Sequence, residues 1–113
     1  MKFALLIYDD ESFFDLTEAE VESVMLAHKA FTDALAEAGA IQGGEPLVHS
    51  SEAATLFADG KVQDGPFADS KEQLGGFYII DVASQEEALK WAAKIPHASE
   101  RGAVEVRAVP DYG

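Results

Sequence analysis

Phe3-Ala4-Leu5-Leu6-Ile7-Tyr8 is an unbroken apolar run, the pattern of a strand covered on both faces. The spacing then changes. Val21, Val24, Met25, His28, Phe31 and Leu35 recur every three or four residues, as one face of a helix does. Thr17 and Glu20 have the spacing of a capping box, which starts this helix near Glu18, and Gly39 is placed to end it. Its length is about 30 Å at 1.5 Å per residue, enough to cross a small sheet. Ile41 to Val48 reads as a second strand, in which Gly43-Gly44 and Pro46 require a bulge or an edge position.

Further along, Ala54 to Ala58 and Lys61 to Gln63 flank Asp59-Gly60 and predict a hairpin with a two-residue turn. Gly76 to Val82, aromatic and β-branched, is the next strand. Ser84 and Glu87 repeat the capping-box spacing ahead of Ala88, Trp91, Ala92 and Ile95, the stripe of a second helix that Pro96 stops. Val104, Val106 and Ala108 alternate with Glu105 and Arg107 in a half-buried last strand. The order predicts an α+β, ferredoxin-like βαββαβ fold with an inserted β-hairpin. Two helices cover only one face of such an antiparallel sheet. Tyr8, Phe77, Ile79 or their neighbours on the other face then stay in water unless a second copy covers them. The pattern therefore predicts a homodimer packed sheet against sheet.

At 113 residues the chain reads as one domain over 1–113, long enough to bury a core without staples. Its net charge of −13 is concentrated near the first helix, in Asp9, Asp10, Glu11, Asp15, Glu18, Glu20 and Glu22. That sign is wrong for a nucleic-acid partner, whose phosphates need cations. The cluster is either a solvated helix start or a docking face for a basic partner. There are no cysteines, which removes disulfides, thiolate catalysis and Cys-ligated zinc. Asp9-Asp10-Glu11 closes the first apolar run too early for a signal peptide, and no run approaches a membrane span. A soluble, cytoplasmic protein is expected. The dinucleotide, P-loop, zinc-protease and serine-hydrolase motifs are all absent.

Asp64-Gly65-Pro66-Phe67-Ala68-Asp69-Ser70-Lys71-Glu72-Gln73-Leu74-Gly75-Gly76-Phe77 resembles the signature of the DGPF, or YCII-related, family of small bacterial proteins. The opening Met1 to Tyr8, Ala38-Gly39, Gly44 to Leu47 and Gly102 to Arg107 extend the likeness over nearly the whole chain. The resemblance implies a dimeric α+β barrel, with pockets beside or between two sheets. Some relatives are encoded beside, or fused to, extracytoplasmic-function sigma factors, which implies a regulatory connection. For the wider family a histidine and an aspartate have been proposed as an active pair. The histidine falls on His28, but Ile95 stands before Pro96 where the aspartate would be. Asp64 is the first substitute.

His28 interrupts an apolar stripe. It reads either as a half-buried structural histidine or as a general acid/base. Asp64 either stabilises the turn at Gly65-Pro66 or orients His28. Lys71 pairs with Glu72 at the surface or meets an anionic ligand, and Tyr8 and Phe67 are the aromatic candidates for lining a pocket. Arg101 and Arg107 read as ion-pair partners of nearby acids. His28, His49 and His97 have no metal-ligand spacing, so neither a metal nor a cofactor is expected. Two functions fit: a cofactor-independent enzyme using acid/base chemistry for elimination or isomerisation of a small molecule, or a non-catalytic regulatory dimer working with a sigma factor.

Overall fold

The first apolar run becomes β1 (Lys2–Asp9), a central strand of the sheet in the computed structural model, which describes residues 1–112. α1 (Glu18–Glu37), β2 (Ile41–Pro46), β3 (Ala54–Leu56) and β4 (Val62–Asp64) follow. β5 (Gln73–Asp81), α2 (Gln85–Ala92) and β6 (Ala103–Ala108) complete the order. The main sheet runs β2-β5-β1-β6, with every neighbouring pair antiparallel. This is the expected α+β, ferredoxin-like arrangement. Among the described residues β3 and β4 pair only with each other, as the inserted hairpin.

Local chemistry sets the helix ends. At the start of α1 the Thr17 hydroxyl accepts from Glu20 N–H at 3.2 Å, and the Glu20 carboxylate accepts from Thr17 N–H at 3.1 Å. That second bond holds the Glu20 carboxyl below its usual range. At the far end the N–H groups of Gly39 and Ala40 turn back to the carbonyls of Ala36 and Leu35. α2 keeps half of its expected box. Ser84 accepts from Glu87 N–H at 3.2 Å, while the Glu87 carboxylate lies 3.4 Å from Lys90 instead.

Three expectations shift. The hairpin turn is longer than two residues: Gly60 N–H returns to Phe57 O and Phe57 N–H to Lys61 O. Only Gly60 has positive φ, at 92°, because Asp59 takes the interior of an ordinary turn and leaves the left-handed position to glycine. β5 begins at Gln73, ahead of Gly75-Gly76, and the irregularity in its pairing with β1 falls beside those glycines. β2 stops at Pro46, on the edge of the sheet, with a register shift between Ile41 and Gly43.

The core lies between the helices and one sheet face. Phe3 and Leu5 of β1, Phe31 and Leu35 of α1 and Ile80 of β5 are buried there with Ala88, Ala92 and Ile95. Each fully buried large side chain among them contributes about 1.5–3 kcal/mol. Phe31 joins the layers, its ring centroid 5.1 Å from Tyr78 and 6.2 Å from Trp91. Strand register places Leu6, Tyr8, Phe77 and Ile79 on the opposite face, where they remain half-buried. Among the described residues no helix is long and apolar enough to cross a membrane.

Candidate functional site

The apolar stripe of α1 divides along its length. Phe31 and Leu35 enter the core, but Val24 and His28 are only half-buried and Met25 is 56% exposed. The reason is a cavity of about 360 Å³ under this part of the helix. Val24, Met25, His28 and Thr32 form one wall. Ile7 and Asp9 of β1, Gly44 to Pro46 of β2 and Gly76 to Tyr78 of β5 form the other. Phe13, Pro96 and Ala98 close the sides.

His28 Nδ1 lies 3.1 Å from the Tyr78 hydroxyl, and the two rings are inclined by only 25°. β5 explains the meeting. Tyr78 alternates with Phe77 and Ile79, so it faces the helices beside Ile80, opposite Leu5 of β1. Room for its ring is left by Gly44, where a Cβ would come within 2.7 Å of both Tyr78 Cδ1 and the Phe77 carbonyl oxygen. Burial pulls the His28 pKa below its ordinary value of 6.5, and His97 adds like-charge repulsion. Burial also pushes the Tyr78 hydroxyl up. Both groups are therefore neutral near pH 7. His28 Nε2 has no hydrogen-bond partner among the described residues and is not among their buried, unpartnered atoms. It is reachable from solvent.

Two carboxylates line the same cavity, Asp9 and the exposed Glu45, and the oxygens of Asp9 are already engaged. They accept from the N–H groups of Asp10 at 2.8 Å, Ala98 at 3.1 Å and Ser99 at 3.3 Å, and from the Ser99 hydroxyl. Asp9 thereby pins the loop after α2 over the cavity. Arg101, in the same loop, reaches Glu72 at 2.8 Å and holds that carboxyl below its usual range. Arg107 pairs with Glu105.

Asp64 lies in β4, exposed, paired with Ala54 across the hairpin, and outside the cavity lining. Phe67 is 76% exposed and meets Phe57 at 6.1 Å between centroids. Lys71 is exposed and likewise outside the lining. Tyr8 is half-buried on the sheet face away from the helices, opposite Leu74 and Ala103. The cavity thus gathers His28 but none of these four. Tyr78 and Asp9, which sequence reasoning did not single out, stand there instead. One signal pointed to Tyr78: if Phe77 and Ile79 face away from the helices, alternation turns Tyr78 toward them.

His49 is engaged elsewhere. Its Nε2 lies 3.5 Å from Glu11, whose carboxylate also accepts from Ser50 N–H at 2.7 Å and Ser50 Oγ at 2.6 Å. Among the described residues no cluster of three or more His, Asp or Glu side chains is placed to hold a metal ion.

Comparison with known proteins places the chain among relatives. The chain is 41% identical over 117 residues to an uncharacterised protein of Rhizobium meliloti (strain 1021), an alignment covering 99% of this chain and 94% of that one. The YCII-related domain matches residues 1–112. On both counts the chain belongs to the YCII-related domain family.

Proposed function

We propose that the cavity beneath α1 binds a small, mostly apolar molecule and that His28 acts on it as an acid/base group. One observation carries this reading: Tyr78 holds Nδ1 of a half-buried His28 at the cavity wall while Nε2 stays reachable. Tyr78 takes the orienting role that a carboxylate was expected to fill. A cavity of about 360 Å³ is at the small end of the range that encloses ligands, about 300–1,000 Å³. Acid/base chemistry for isomerisation or elimination suits the pair, because the uncharged imidazole presents Nε2 to the bound molecule for hydrogen bonding and proton transfer. In this reading the working unit is a homodimer, with a second copy covering Leu6, Tyr8, Phe77 and Ile79.

A thermal-shift screen of ring-sized metabolites against the wild type and His28→Ala tests the proposal. Compounds that stabilise the wild type and lose their effect in a folded His28→Ala variant support it. Compounds that stabilise both proteins equally remove His28 from the site.

The acidic start of α1 favours a second reading, a regulatory dimer docking a basic sigma-factor surface. Glu18, Glu20 and Glu22 are all exposed, and none forms an ion pair among the described residues. A complex with a sigma factor, weakened by salt and lost when all three become Gln, would favour it over the first.

A further inference from the structure

The charges around the cavity narrow what it can hold. Among the described residues no lysine or arginine lines it, and the two ionisable acids in its lining are Asp9 from β1 and Glu45 from β2. The remaining titratable groups there are His28 from α1 and Tyr78 from β5, with His97, in the loop after α2, near enough to repel a proton from His28. An anionic ligand would leave water for a site that offers it no cation, a costly transfer.

Hydrogen bonding narrows it again. The Tyr78 hydroxyl hydrogen has one acceptor among the described residues, His28 Nδ1. A hydroxyl that donates there leaves the ring proton of neutral histidine on Nε2. The reachable nitrogen is then a donor, and it asks for an oxygen that accepts. Six apolar positions (Ile7, Phe13, Val24, Met25, Pro46 and Pro96) surround it with space for one ring.

Resting on the reading of this cavity as the binding site, we propose that its ligand is a neutral, ring-sized carbonyl compound whose oxygen accepts a hydrogen bond from Nε2–H of His28. The neutral imidazole polarises the carbonyl as an electrophile, which an imidazolium would do at the cost of protonating itself in a half-buried site.

Two measurements on the full-length protein test this. Long-range ¹H–¹⁵N correlation at pH 8 reports the tautomer directly: Nδ1 without a proton and Nε2 with one is expected, and loss of that preference in Tyr78→Phe. The reverse assignment in the wild type overturns the proposal. Acetophenone, benzoate and benzylamine are then titrated while the resonances of Val24, Met25 and Thr32 are followed. Acetophenone is expected to bind at least about tenfold more tightly than benzoate, which lacks a cation here, and than benzylamine, whose ammonium can only donate. Benzoate or benzylamine binding as tightly as acetophenone overturns the ligand class and leaves the cavity standing as a site. If none of the three moves these resonances, the binding reading fails and the inference falls with it.

Discussion

His28 shows how one residue carries two consequences of partial burial. Its pKa in the folded chain lies below the ordinary 6.5. Above 6.5 the ring is neutral folded or unfolded and contributes nothing to the pH dependence of stability. As pH falls below 6.5, the unfolded chain takes up a proton that the folded chain still refuses, so stability drops until the depressed pKa is passed. Denaturant melts between pH 7.5 and 5.5 should therefore lose more stability for the wild type than for His28→Gln. Equal slopes would mean that burial does not perturb the ring. The partner of this histidine was the less legible half of the site. An apolar stripe with one imidazole in it is visible within a few helical turns, but the Tyr78 hydroxyl is 50 residues away and meets it only through strand register.

At the scale of elements, what local chemistry determines could be read and what the tertiary context determines could not. Thr17 with Glu20, and Gly39 after Ala38, mark both ends of α1 within four residues of themselves. Nothing local tells that the stripe between them leaves the core halfway, because only the space beneath Val24 and His28 decides it. Asp64 failed to meet His28 for a similar reason: its hairpin pairs with itself, apart from the main sheet. The division of α1 can be measured. Leu35 is fully buried, so Leu35→Ala should cost about 2–5 kcal/mol. Val24→Ala, at the cavity wall, should cost less than about 1 kcal/mol while changing how acetophenone binds. Chemical denaturation of both variants checks the first part, and comparable losses would show that Val24 is core after all.

The whole molecule is thin for its size. It measures 44 × 41 × 19 Å, and its radius of gyration of 15.4 Å exceeds the roughly 13 Å of a compact chain of this length. One sheet and one helix layer account for the short dimension, and the hairpin extends the long ones. The half-buried face of Leu6, Tyr8, Phe77 and Ile79 is the side of the sheet turned away from the helices. If a copy of the chain covers it, light scattering should give twice the 12.1 kDa protomer mass, and Ile79→Lys should return the protomer. A wild type that runs as a 12.1 kDa particle at micromolar concentration would dismiss the dimer.

The split of α1 also separates what must be kept from what is free to vary. Phe31 and Leu35 are tied to the fold, so change there is penalised whatever the ligand. Val24, Met25 and Thr32 border the cavity without belonging to the core, so a new side chain at those positions alters the shape offered to a ligand at little expense in stability. In the reading proposed here, a lineage or a designer could move the cavity from one small molecule to another by rewriting two turns of a single helix. The scaffold and the His28–Tyr78 pair would pass through unchanged.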